Sequence, residues 1–365
     1  MNLRLDAQQI MIETPWMNAT LAGAVIWNDQ TGSVRLSGPT KIEMPQIAET
    51  VSDFAGTRIE LRGTSNSELK ITVDRMPNDD VNYQIDTELA WEGGQAEGVV
   101  LGAGRTAISI DQSRILIPET IVPLASGSVR LAGTYFHSAD NQPLVLPRGT
   151  LAENIAITPV MCRRWLKYVL PAAADAADMD GTFSLTLAED ATIPMVDPTR
   201  ATLDGSLAIS RATVSTGPMA RQLIGTIRNV NRLVSGDPLR TGDASTVTLV
   251  QMPPQTIDVR VADQVVSHNK AAMMIDETPI ISYGSIAMDG RMEIVTQFEI
   301  DRKWVGTRLQ RLAGMPIVIP IRGSVDQPKF DGDALKSLAQ RVGTAAVQSA
   351  SENLLQEGIN RLFGR

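Results

Sequence analysis

Apolar and polar residues alternate with a period of two through much of the chain. The clearest runs are Glu68 to Asp74 (ELKITVD), Asn82 to Trp91 (NYQIDTELAW), Gly127 to Ala132 (GSVRLA), Gly181 to Leu187 (GTFSLTL), Gly205 to Ile209 (GSLAI), Ile257 to Val261 (IDVRV) and Gly290 to Phe298 (GRMEIVTQF). Successive strand residues point to opposite faces, so such runs describe strands with one buried face. They predict a mainly β chain built on an antiparallel sheet. Asp-Gly recurs before alternating runs at Asp180-Gly181, Asp204-Gly205 and Asp289-Gly290. Because Asp-Gly takes up the positive φ angles of tight turns, these sites predict successive hairpins. Their irregular spacing argues against a fixed-period solenoid.

Three segments follow helical spacing instead. Met161 to Ala177 sets Trp165, Leu166 and Val169 against Arg163, Arg164 and Lys167, and Met219 to Val234 carries Met219, Leu223, Ile227, Val230 and Val234 in one stripe. Asp333 to Phe363 opens near Asp331 and Asp333, where a helix dipole favours acids, and carries Leu335, Leu338, Val342, Leu354, Leu355, Ile359 and Phe363. Its middle, TAAVQSASEN, is poor in large apolar residues. This predicts a loosely held C-terminal helix that docks on a membrane surface or an envelope protein. The organisation expected is a β-rich segment over 1–160, strands with two amphipathic helices over 161–254, a β segment over 255–332 and the helix over 333–365.

Composition narrows the function. The 365 residues are 43% hydrophobic and 20% charged, which describes an ordered chain. Aromatics at 4% and a net charge of −8 leave few stacking platforms and no general excess of cations, so nucleic acid is not an expected partner. The charge is uneven: residues 302–365 hold ten Lys/Arg and five Asp/Glu, a net of +5, against −13 for the rest. A basic end could meet anionic headgroups, although a solvated helix face is the simpler reading. Cys162 is the single cysteine, so no internal disulfide is possible. No run reaches the roughly 18 apolar residues of a membrane span.

Catalytic patterns are missing. His137 and His268 stand in β-type sequence without a second His or Cys at ligand spacing, and no nucleophile elbow, zinc helix or phosphate loop occurs. The nearest lookalike, Gly102-Ala-Gly104-Arg-Thr-Ala107, runs on into the β sequence ISIDQSRILI and so lacks the helix N-terminus that would hold a pyrophosphate. Asp79-Asp80 and Asp175 with Asp178 sit in polar turn or helix-end sequence. The expectation is a non-enzymatic protein needing no cofactor and no metal.

The stretch from Asp263 to Leu338 is more specific. It contains ISYGSIAMDG (281–290), then IVIPIRGSVDQPK (317–329). Pro320 reads as a strand start or edge, Gly323 as a point of close backbone approach, and Asp326-Gln-Pro328 as a turn. The two motifs resemble the C-terminal signature of AsmA-like proteins. The resemblance is strong over about residues 255–345 and compositional over 1–254. It implies an elongated, curved antiparallel sheet forming a half-open apolar trough, in a periplasmic protein attached to the inner membrane through a segment absent from this chain. It further implies a phospholipid or other acyl-chain lipid as partner, conducted between membranes. A structural or assembly role in the outer envelope, with the sheet closed over its own side chains, is the alternative. A filled interior would favour that alternative, and an uncovered apolar stripe would favour lipid. Alternation assigns the lining of the lipid groove to Phe183, Leu185, Leu187, Leu207, Ile209, Met292, Ile294 and Phe298. On this reading, replacing Leu185 and Ile294 by Asp removes lipid binding and leaves the fold intact.

Overall fold

A computed structural model describes residues 3–28, 30–173, 179–214, 218–235, 250–275, 277–305 and 312–331, with single positions between 310 and 344. The protein is mainly β, and its strand pairing is antiparallel throughout the described ladders. The first strands are β1 (Leu3–Glu13), β2 (Met17–Trp27), β3 (Gly32–Glu43), β4 (Ile59–Arg62), β5 (Thr64–Arg75), β6 (Val81–Trp91) and β7 (Gly93–Ala96). They continue with β8 (Val99–Leu101), β9 (Gly104–Asp111), β10 (Ile115–Leu124), β11 (Gly127–Tyr135), β12 (Pro143–Leu146) and β13 (Gly149–Ala156). Then come β14 (Met179–Asp180), β15 (Thr182–Leu187), β16 (Ala191–Pro194), β17 (Leu203–Ile209), β18 (Ala212–Val214), β19 (Val250–Met252) and β20 (Gln255–Ala262). The last are β21 (Val265–Ile275), β22 (Thr278–Ala287), β23 (Arg291–Glu299), β24 (Pro316–Ser324) and β25 (Pro328–Phe330). Every alternating run named above lies in one of these strands, apart from the leading Gly181 and Gly290, which stand just before β15 and β23.

Contacts divide the chain into two units. The first comprises Met1–Val160, Phe183–Leu207 and Val261–Gln264; the second comprises Met161–Thr182, Ala208–Arg260 and Val265–Arg365. In the first unit the strands pair in the succession β1-β2-β3-β5-β6-β9-β10-β11, and β12 continues from β11 to β16. A side ribbon of β4, β7 and β8 returns to β10 at Leu101–Leu124. Helix α1 (Met44–Ala55) interrupts the strands, an element the alternation does not predict. Pro45 favours the first helical turn, and Gly56, at φ 62° with open space around its missing Cβ, ends the helix in the left-handed conformation. Ser52 ties α1 to β4: its hydroxyl donates to the Ala48 carbonyl at 2.6 Å and accepts the Ile59 N–H at 2.8 Å.

The second unit packs β21, β22, β23 and β24 in sequence, with β25 beside the end of β24. One face is closed: Val266, Met273, Ile280, Ile286, Met292, Ile294, Phe298, Ile317, Ile319 and Ile321 are all buried. The helical turn Lys167–Val169 lies against β21 and β22, and the Tyr168 hydroxyl donates to the Met288 carbonyl at 3.3 Å. Helix Pro218–Ser235 buries Met219, Leu223, Ile227 and Val230 of the expected stripe, with Ala220 and Ile224 beside them; the side chain of Val234 lies outside the described residues. Burial pushes the Cys162 thiol up to about 11, so it stays protonated.

Three expectations change. The helix expected over Met161 to Ala177 is a broken run with a π-helical middle at Cys162–Leu166. It stops at Leu170, because the following Pro171 disfavours the helical conformation before it. Of the three Asp-Gly sites only Asp289-Gly290 is a hairpin turn, with Gly290 at φ 89° and the Asp289 carboxylate accepting the Arg291 N–H at 3.0 Å. Gly205 is inside β17, where a Cβ would strike the Thr186 carbonyl, and Gly181 separates β14 from β15. Pro320 sits within β24 rather than at its start. It keeps the edge position the sequence allows: its carbonyl accepts from the Asp331 N–H at 3.0 Å just past the end of β25, and among the described residues no ladder bond is asked of its missing N–H on that side. The helix expected over 333–365 falls almost wholly outside the described residues.

Candidate functional site

In an antiparallel pair, directly opposed residues share a face. Following the register of the first unit from strand to strand therefore traces single rows of side chains. One row is apolar at every step across eight strands: Leu36 opposes Ile71, Ile71 opposes Ile85, Ile85 opposes Ile110, and Ile110 opposes Ile115. It goes on through Tyr135 and Leu144 to Ile193. All eight are half-buried, neither sealed into a core nor standing free. At about 4.8 Å per strand, seven spacings make a ladder of about 34 Å. A second row, Val25, Val34, Val73 and Tyr83, lies two residues along the same face and is also half-buried.

The opposite face is wet. Arg35 donates to both carboxylate oxygens of Asp74 at 2.8 Å, Lys70 stands 3.5 Å from Glu68, and Arg105 stands 3.8 Å from Glu88. Such exposed pairs add little stability, but they fix which face of the sheet belongs to water. A concavity of about 530 Å³ beside Met11, Asn18, Thr20, Pro39 and Lys41 opens on that side and is not part of the ladder.

Along the apolar face, packing changes from open to closed. Next to the ladder, Ala19, Leu21 and Leu69 are buried, with Leu36, Ile71 and Ile85 at their margin. At the other end of β6, Met44 of α1 packs with Trp91 and Val122, bordered by Ile47, Leu61 and Leu89. The Trp91 indole N–H donates to the Gly102 carbonyl at 3.0 Å, and its ring fills the space a Cβ on Gly104 would need. From there α1 carries Phe54 to the ladder, edge-on to Tyr135 with ring centroids 5.1 Å apart. Val51 and Phe54 are exposed, so α1 covers the ladder at one step and leaves its own apolar side chains on the surface.

The residues assigned to the groove from sequence are divided between the units. Phe183, Leu185, Leu187 and Leu207 fall in the first; Ile209, Met292, Ile294 and Phe298 fall in the second. All are buried except Leu185, which is half-buried. Met292, Ile294 and Phe298 occupy the closed interior of the second unit, where their strand partners are Ile286, Gly284 and Ile280. The ladder itself was missed, although β5 and β6 are two of the clearest alternating runs. Alternation says that Ile71 and Ile85 share a fate with their neighbours, but not that the register lines them up over eight strands.

Ionisable groups near these surfaces have structural partners. The Asp111 carboxylate accepts from the Ser113 hydroxyl and from the Ser113 and Arg114 N–H groups, which hold it down at about 2. His137 meets the Asp111 carbonyl at 2.9 Å. In the second unit, His268 is buried with its Nε2 3.3 Å from the Ser282 hydroxyl and, among the described residues, no partner for Nδ1; burial lowers it to about 4. Among the described residues no group of three or more His, Cys, Asp or Glu side chains is arranged to hold a metal, and no helix is long and apolar enough to cross a membrane. The chain matches no family model, no curated protein and no solved structure.

Proposed function

We propose that this chain is a non-enzymatic, AsmA-like protein of the bacterial envelope that binds acyl chains along the ladder of its first unit and passes phospholipid between membranes from the periplasm. The observation that carries the reading is the row from Leu36 to Ile193. Seven half-buried aliphatic side chains and the ring of Tyr135, whose hydroxyl is taken up by Gln142 at 3.1 Å, offer contact to a hydrocarbon chain and no hydrogen bond that would fix it in place. The ladder is about 34 Å long, against roughly 15 Å for the tails of one leaflet, half of a ~30 Å hydrocarbon core. The row can therefore hold a tail at successive positions. The runner-up is a structural or assembly role without lipid conduction, and the fully packed interior of the second unit favours it for that part of the chain.

Ile85 and Ile110 are direct cross-strand partners in the middle of the ladder. The double variant Ile85→Gln/Ile110→Gln is expected to bind a fluorescent phospholipid about 10- to 100-fold more weakly, from the loss of a few CH₂ contacts at about 0.8 kcal/mol each. Because both positions are half-exposed, its melting temperature should change little. A folded variant with unchanged affinity would remove the ladder as the binding site.

A further inference from the structure

We propose that Phe54, in the last turn of α1, is a stop that sets how long an acyl chain the ladder holds. The inference rests on the ladder reading and adds to it the residue that selects chain length. The placement of α1 is its first support. Trp91 lies six residues along β6 from Ile85, so the two side chains share a face, and Met44 of α1 packs on Trp91. Helix α1 therefore stands on the ladder's own face. Its last turn is fastened there: Ser52 bonds to Ala48 and Ile59, and the Gly56 N–H donates to the Ser52 carbonyl. The helix thus holds Phe54 at Tyr135, the sixth step of the row.

The height of the ring is the second support. Phe54 and Tyr135 meet edge-on, with centroids 5.1 Å apart and planes at 78°. Apolar groups in contact approach to about 4.0–4.5 Å, so a tail lying on Ile85, Ile110 and Ile115 runs at the level of the Phe54 ring and ends against it. Before that point the row is clear. Leu36, Ile71, Ile85, Ile110 and Ile115 span four strand spacings, about 19 Å, which leaves room for the roughly 15 Å of one leaflet's tail and little more. Leu144 and Ile193 lie beyond the ring, and a tail reaches them only when Phe54 turns away. The third support is exposure. Ile47, Val51 and Phe54 follow one another at four and three residues, a single stripe of α1. Val51 is 40% exposed and Phe54 42%, while Ile47 borders the Trp91 cluster. Ladder and helix flank meet in a corner whose five floor and three flank side chains carry no polar group. Such a corner fits the aliphatic end of a tail, which needs no hydrogen-bond partner.

The test measures binding of single-tailed phosphatidylcholines of increasing tail length to the full chain, each ligand kept below its micelle-forming concentration. Affinity of the unmodified chain is expected to rise about fourfold per added CH₂ and then to level off once the tail reaches Phe54. In Phe54→Ala the rise should continue, giving about tenfold tighter binding of the longest tails and affinity within about twofold for the shortest. Phe54→Tyr keeps the ring and should keep the plateau. Because the Phe54 ring is largely in water, the melting temperatures of all three proteins should nearly agree. A plateau at the same tail length in Phe54→Ala overturns the stop, as does an unmodified chain whose affinity never levels off. If no tail of any length binds, the ladder reading fails and the stop fails with it, whereas tail binding with an unmoved plateau removes the stop alone.

Discussion

Ile294→Asp is expected to unfold the second unit, not to disable a binding surface. Ile294 is fully buried between Gly284 on β22 and Ile321 on β24. Truncating a buried isoleucine to alanine already costs about 2–5 kcal/mol. An aspartate there adds an uncompensated charge, and the total exceeds what many domains have to spare. Far-UV circular dichroism and thermal melting should show lost β structure at neutral pH. Ile85→Asp, at a half-buried step of the ladder whose opposite strand face is solvated, should leave a folded protein. Equal stability of the two variants would mean that the two apolar faces are packed alike, contrary to the burial described.

The second large effect is a dependence on acid. His268 is neutral in the fold and lowered to about 4 by burial, against 6.5 when unperturbed. The unfolded chain therefore takes up a proton at a higher pH than the folded one does. The sign follows: the stability attached to neutral His268 is fully present above about 6.5 and is lost as pH falls through 4. The shift corresponds to about 3 kcal/mol across that window. No charged neighbour contributes to the shift, so the loss belongs to desolvation alone. His268→Gln keeps a polar group within reach of Ser282 and removes the titration. Its denaturant midpoint should fall distinctly less than that of the unmodified chain between pH 7 and pH 4.5. Parallel curves for the two proteins would show that His268 is hydrated or paired in solution.

How much of this was legible in the sequence follows from the range of the forces involved. Strand formation in runs such as ELKITVD and NYQIDTELAW is local, set by period-two alternation, and these runs are β5 and β6. The stripe from Met219 to Val230 is equally local and lies on a helix. Helix α1 was missed because Met44-Pro-Gln-Ile-Ala-Glu follows directly on a strand and its apolar residues pack on Trp91 and Val122, far along the chain. Asp-Gly misled at Gly205 because the same lack of a Cβ that permits a turn permits a close strand approach, and only the neighbour at Thr186 decides between them. The site was the least legible part. Phe183, Ile294 and their companions were rightly apolar and inward, but whether an inward face is open or covered depends on helices and register. Residues as distant as Leu36 and Ile193 join one row only after seven pairings are known.

The central claim, that acyl chains lie along the ladder, is tested most directly by photocrosslinking at two adjacent positions of β9. Ile110 points along the ladder, opposite Ile85 and Ile115, whereas Ser109 opposes Asp86 and Leu116 on the other face. A photoreactive phenylalanine analogue is placed at each position in turn, and the protein is irradiated with phosphatidylcholine and weighed by mass spectrometry. The account predicts a phospholipid adduct from position 110 and none above background from position 109. Adducts of equal yield at both positions, or none at position 110, would contradict it.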